Sequence, residues 1–167
     1  MRDQRGASAV EFALIVPIVI LLLIGTVTTA LVYSDHLAVT NAVREGARYG
    51  SAANILDSGW ATSVRDRVKQ VYFNANGVQP SDNEVCVKLV DSSGSQVASV
   101  ASWTGSSCGS APAVPSSMTP GSCAVLVWMQ QPETIQLAVF PSLHPTIGGE
   151  AVAYFQQSVT NTPCTAN

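Results

Sequence analysis

The amino-acid sequence predicts an α+β fold: a long N-terminal helix that crosses a membrane, a second amphipathic helix, and a small antiparallel β-sheet head closed by disulfides. Three observations carry this. No charged residue occurs from Phe12 to Ser34. A helical pattern continues past that run and recurs from Trp60. Three short β-branched stretches then follow, with all four cysteines in this later part of the chain.

About 20 apolar residues, at a rise of about 1.5 Å each, cross a hydrocarbon core of about 30 Å, so the run is long enough to span. Its polar interruptions, Thr26, Thr28, Thr29 and Tyr33, are mild. A core helix in water is rarely apolar on every face over such a length. Pro17 removes the hydrogen bond of its own nitrogen to the Ala13 carbonyl and predicts a kink, which membrane helices tolerate. Gly25 is a second soft point. Charge alone does not orient the span, because Arg2 and Arg5 before it are nearly balanced by Arg44 and Arg48 after it. The cysteines decide, since disulfides persist only in an oxidising compartment. The N-terminus is therefore placed inside and the C-terminal part outside the cytoplasm.

Beyond Ser34, Leu37, Val39, Ala42, Val43, Ala47 and Tyr49 keep i, i+3 and i+4 spacings, so one helix is predicted from about Ser8 to about Asn54. Asp57-Ser58-Gly59 punctuates the chain. A second helix is predicted from Trp60 to about Asn74, with Trp60, Val64, Val68 and Val71 as its apolar stripe and Arg65, Asp66, Arg67 and Lys69 on its other faces. Strands are predicted over residues 84–90, 122–130 and 150–159. Residues 92–121 are rich in Ser, Gly, Ala and Pro, with Trp103 and Met118 as isolated anchors. They read as a long surface insertion with a short strand at 96–103, and loops of this length are uncommon unless functional or tied down. The domain reading is residues 1–6 before the helix, 7–34 as the membrane part of the helix, 35–56 as its continuation outside, and 57–167 as the head.

Cys86, Cys108, Cys123 and Cys164 contain no C-x-x-C pair, which argues against a zinc ribbon or a thioredoxin-type motif. An even number in a small exported domain favours two disulfides. In an antiparallel meander the start of the second strand lies near the end of the third, which favours Cys123–Cys164 with Cys86–Cys108. Pairing Cys108 with Cys123 competes closely.

Glu11 opens the apolar run. A carboxylate near a membrane boundary costs up to a few kcal/mol according to depth and is a functional hint. The bland alternative is a residue resting among the headgroups. Its neighbours favour function: Gly6-Ala7-Ser8-Ala9-Val10-Glu11-Phe12 resembles the processing site of the Flp and TadE/TadF class of type IV-like prepilins, in which a Gly, four variable residues, a Glu and an aromatic follow a short basic leader. Flp pilins usually carry Tyr where Phe12 stands, and TadE-like proteins often have Phe. The segment Arg44-Glu45-Gly46-Ala47-Arg48 resembles one that recurs after the anchor in TadE-like proteins. The stretch after Pro141 and Pro145, with Gly148-Gly149 before a last strand, resembles their C-terminal pattern.

The resemblance implies a pilus-assembly protein or minor pilin of a Tad/Flp-type pilus in a bacterial cytoplasmic membrane. A prepilin peptidase would cut between Gly6 and Ala7. Glu11 and Phe12 would serve assembly through the N-terminal helix, and the head would be free for adhesion, priming or tip contacts at the cell surface. The implied partners are membrane lipid, the prepilin peptidase, and other Tad/Flp pilins and assembly proteins. An ordinary secretory signal cut near Thr28-Thr29-Ala30 would leave Gly6 and Glu11 without a role. The alternative of another class is a monomeric membrane-anchored binding module outside any filament.

Only 11% of residues are charged and the net charge is −3. The scattered basic residues make no nucleic-acid surface. No nucleophile elbow, phosphate loop or zinc-protease signature is present. His36 reads as an interfacial residue and His144 as part of a Pro-bounded loop. The sequence therefore predicts no enzyme, no cofactor and no metal site.

Overall fold

The computed structural model describes residues 4–116, 118–135, 142–155 and 164, with side chains from residue 9 onward. Two compact units are present, Met1–Ser34 and Asp35–Asn167. Helix α1 (Gln4–Ala52) contributes to both, and Pro17 lies inside it.

In the first unit, α1 leaves its apolar side chains exposed, Phe12 at 70% and Leu22 at 66%. It is long and apolar enough to cross a membrane. The three threonines of this stretch are made compatible with hydrocarbon by the helix itself. Thr26 Oγ1 donates to the Leu23 carbonyl at 2.9 Å, Thr28 Oγ1 to that of Ile24 and Thr29 Oγ1 to that of Gly25, both at 2.8 Å. Each hydroxyl thus brings its own acceptor, so none adds an unsatisfied polar group to an apolar surrounding.

The second unit, the head, holds the rest of α1, helix α2 (Trp60–Asn76), a 3-10 turn (Asp82–Glu84), and strands β1 (Val85–Asp91), β2 (Trp103–Thr104), β3 (Cys123–Pro132) and β4 (Thr146–Tyr154). The sheet order is β2-β1-β3-β4, antiparallel throughout. β3 is central: Val127 sits between Val87 on β1 and Ala151 on β4. It is buried on both faces from Cys123 to Met129, so it reads as an unbroken apolar run rather than an alternation.

Glycines let the helices approach the sheet. A Cβ on Gly46 would stand 2.3 Å from Val68 Cγ2 of α2, and one on Gly50 would stand 3.0 Å from Val64 Cγ2 and 3.1 Å from Val125 Cγ1. Gly46 and Gly50 are one turn apart on α1, next to the buried Ala42, Val43 and Ala47. The same contacts fix directions. Trp60 and Val64 lie beside Gly50 and Val68 beside Gly46, so α2 runs antiparallel to α1. β3 does too, with Val125 beside Gly50 and Val127 beside Gly46.

The sheet's second face is covered by the 92–121 segment, most of whose residues are exposed while a few side chains pack inward. Cys108, Val114 and Met118 pack on Cys86, Leu126 and Trp128, and Trp128 Nε1 donates to the Gly109 carbonyl at 3.3 Å. With α1 and α2 on one face, the even-numbered side chains of β3 need a cover, and this stretch is the one that supplies it. The expected strand at 96–103 is reduced to a bridge between Gln96 and Val90 and the two residues of β2. Between them the chain turns, Val100 N donating to the Val97 carbonyl at 3.1 Å, so that both valines are buried.

Other boundaries shift for local reasons. β4 begins at Thr146, earlier than residue 150, because Gly148-Gly149 is part of the strand and not of the connection before it. A Cβ on Gly149 would lie 2.6 Å from Val39 Cγ1 on α1. Residues 156–159 of the expected strand lie outside the described residues. On α2, Tyr72 is buried where the sequence pattern placed Val71, which is half-buried. Arg65, expected on an outer face, is buried: it pairs with Asp66 at 2.7 Å and Asp82 at 3.0 Å, and its guanidinium stacks 4.1 Å from the centre of the Trp103 ring. Partners of both kinds allow a cation to be buried. Leu37 and Tyr49, counted in the buried pattern of α1, are exposed.

The disulfides are Cys86–Cys108 and Cys123–Cys164, with Cα separations of 5.9 and 5.1 Å. The first ties the covering segment to β1. The second ties residue 164 to the start of β3. They close stretches of 22 and 41 residues, and loop entropy assigns them about 3 and 4 kcal/mol.

Three outcomes are expected in thermal melts of the full chain in micelles. Gly46→Ala loses about 1–3 kcal/mol to overpacking and regains at most about 1 kcal/mol from helix propensity, so its melting temperature falls. Gly25→Ala, with open space around the new methyl, leaves that transition in place. Replacing Cys123 and Cys164 by Ser lowers the melting temperature at least as far as replacing Cys86 and Cys108.

Candidate functional site in the N-terminal helix

The residues singled out in the sequence lie near the start of α1. The Gly6–Ala7 peptide bond is within the helix, two residues after its first residue Gln4. Glu11 is on the same helix, one turn beyond Ala7. Its side chain is exposed and has no hydrogen-bond or ion-pair partner among the described residues. Phe12 is exposed as well. Thus a carboxylate and an aromatic ring, adjacent on the helix, both face outward at the threshold of the apolar run.

The segment after the run has a structural role that its residue types explain. In Arg44-Glu45-Gly46-Ala47-Arg48, Gly46 and Ala47 are buried against the head. Glu45 Oε1 receives Arg67 Nη2 of α2 at 2.7 Å, while Arg44 and Arg48 remain exposed. The small residues set the approach of α2 and the acidic residue ties it down.

Residues 6–48 match the family model described as TadE-like protein. Over this segment the chain is similar to TadE-like proteins. No curated protein matches the chain, and no solved structure does. The matched segment spans both stretches just described, from Gly6 through Glu11 and the apolar run to Arg48. That similarity points to a protein related to Tad pilus assembly. The family is pilin-like and generally non-enzymatic.

Neither histidine joins a ligand set. His36 is exposed, and the ring nitrogens of His144 lie 3.3 Å from Thr134 Oγ1 and 3.1 Å from Ser142 Oγ. Among the described residues no group of three or more His, Cys, Asp or Glu could hold a metal ion.

Where α1 enters the head, a polar cluster was not legible in the sequence. Asn76 Nδ2 at the end of α2 donates to Asp35 Oδ1 at 3.0 Å. One turn earlier, the Tyr72 hydroxyl donates to Glu133 Oε1 at 3.4 Å. Burial pushes the Glu133 carboxyl above its ordinary value of 4.5, the negative charge of Asp35 adds to this, and the Tyr72 hydrogen bond partly offsets it. Burial likewise raises the Tyr72 phenol. The side chains come from separations of 41 and 61 residues, so only the antiparallel packing of α1, α2 and β3 brings them together.

A carboxyl whose folded pKa is raised stabilises the fold below its unfolded value, and that contribution is lost as pH rises through the folded value. Glu133→Gln should therefore melt at a higher temperature than the parent protein at pH 7, with the advantage disappearing below about pH 4.5. Melting curves across this range measure both the gain and its loss.

Proposed function

We propose that this TadE-like chain is a minor pilin or assembly protein of a Tad/Flp-type pilus, processed after Gly6 and recruited through its N-terminal helix. The family match over residues 6–48 carries the reading, because it includes the cleavage motif, the apolar helix and Glu11 together. The helix is anchored in the cytoplasmic membrane with its N-terminus inside, and the disulfide-bonded head lies outside, where an oxidising compartment preserves its bonds.

The chemistry follows from the helix. Gly6 offers an unhindered scissile bond and, as a poor helix former, lowers the cost of unwinding the first turn for a peptidase by about 1 kcal/mol relative to Ala. Cleavage there leaves the apolar run intact and creates a new α-amino group on Ala7. The Glu11 carboxylate, without a partner in its own chain among the described residues, is then available to the α-amino group of a neighbouring subunit. At the membrane boundary the lower dielectric strengthens such a pair. Exposed small positions of the helix, Ala9, Ala13 and Gly25, allow other helices close approach, as membrane helix packing requires.

N-terminal sequencing of the chain made with and without a co-expressed prepilin peptidase tests processing. Ala7 as the first residue only when the peptidase is present is the expected result, and Met1 in both samples would overturn it. Glu11→Gln should reduce recovery of the chain with assembled pili about tenfold, the equivalent of about 1.4 kcal/mol, with the head's melting temperature unchanged. Undiminished recovery would remove Glu11 from assembly.

A further inference from the structure

The end of the head at which Asp35 enters presents apolar side chains from more than one element. α2 finishes there, held by the Asn76–Asp35 hydrogen bond, with Phe73 43% and Val78 55% exposed. The connection that follows β3 leaves from the same end, fixed by Tyr72 on Glu133. Its antiparallel pairing continues past the strands: Ile135 N donates to the Leu143 carbonyl at 2.8 Å, and Leu143 N to that of Ile135 at 3.0 Å. Leu143 is 54% exposed. Exposed apolar side chains gathered at one end of a domain mark a contact surface more often than singly scattered ones do.

Covalent continuity identifies what adjoins that end. The uncharged run closes at Ser34 and Asp35 is the next residue, with no linker between them. The run carries Tyr33 at its close, 62% exposed, a residue type enriched where helices pass from hydrocarbon to headgroups. We propose that this end of the head is a lipid-contacting surface, on which Leu143, Val78 and Phe73 rest in the headgroup layer of the bilayer that α1 crosses. The inference rests on reading α1 as a membrane anchor. The charges at this end specify the lipid further. Asp35 and Glu133 are acidic, and Glu84 is close enough to raise the Glu133 carboxyl further. Such a surface suits zwitterionic headgroups, is repelled by anionic ones, and stays at headgroup depth, because carboxylates resist entry into hydrocarbon.

The test uses the full chain, one copy per phosphatidylcholine nanodisc, with a diazirine-bearing amino acid replacing Leu143, Leu22 or Leu56 in separate preparations. Leu22 lies in the apolar run. Leu56 is 60% exposed and lies at the opposite end of the head, between α1 and α2. Lipid adducts from position 143 several-fold above those from position 56, together with adducts from position 22, are the expected result. Adducts from 22 with 143 no higher than 56, or crosslinks from 143 to polypeptide alone, overturn this proposal and leave the anchor intact. No adduct at 22 overturns the anchor reading and the proposal with it. Unchanged head melting temperatures confirm that each substituted chain is folded.

Discussion

The close approach of α1 to α2 and the sheet is the constraint on which the head depends. At Gly46, Gly50 and Gly149 a single added carbon would meet side chains at 2.3, 3.0 and 2.6 Å. Van der Waals attraction falls steeply with separation, so helices held further away would forfeit contacts along the whole interface. Glycine within a helix costs about 1 kcal/mol against alanine, and at two positions of α1 that cost is offset by a dense interface. The antiparallel arrangement that results brings the end of α2 and the end of β3 to Asp35, which creates the Asp35–Asn76 and Tyr72–Glu133 contacts.

Once the helices occupy one face, the other face of the sheet needs a cover. Among the described residues no further helix covers it, and a segment of low hydrophobicity takes the place. Such a segment cannot hold itself down by burial alone. Cys86–Cys108 anchors it covalently, Trp128 bonds to its backbone at Gly109, and Arg65 stacked on Trp103 ties the part nearest β2 to α2. The Arg65–Asp82–Lys69 group is part of the same solution. Hydrogen bonding from Lys69, with the positive charges of Arg65 and Lys69, holds the Asp82 carboxyl below the usual carboxylate range despite some desolvation.

The two units divide the chemistry of the chain. Residues 9–34 expose apolar surface, and the threonines among them bond to their own helix. Residues from Asp35 onward bury apolar surface and carry the ion pairs found among the described residues. The family match crosses that division, from Gly6 to Arg48. One half of the matched segment is explained by packing inside the head: Gly46, Ala47 and Glu45 each have their partners there. The other half, Glu11 and Phe12 above all, has no such packing partner among the described residues, which supports the assembly role proposed for it.

Much of the fold was legible because it rests on local pattern. An uncharged run, helical periodicity on either side of Asp57-Ser58-Gly59, and β-branched stretches specify elements wherever the chain goes. Two disulfides could be anticipated from cysteine number, and the meander favoured the pairing found. The misreadings share one physical cause. Gly148-Gly149 looked like a connection before the last strand, Arg65 like a solvated face and Val71 like core, because each depends on an element distant in sequence: Val39 of α1 against Gly149, Trp103 and Asp82 against Arg65, and Glu133 against Tyr72, which takes the buried place. By itself the sequence determined the anchor helix, the element types and the motif from Gly6 to Phe12, since these depend on neighbours within a few turns. Which side chains are buried, what covers the second face of the sheet, and which residues gather around Asp35 were decided only by the tertiary structure, because burial and charge pairing arise where remote segments meet.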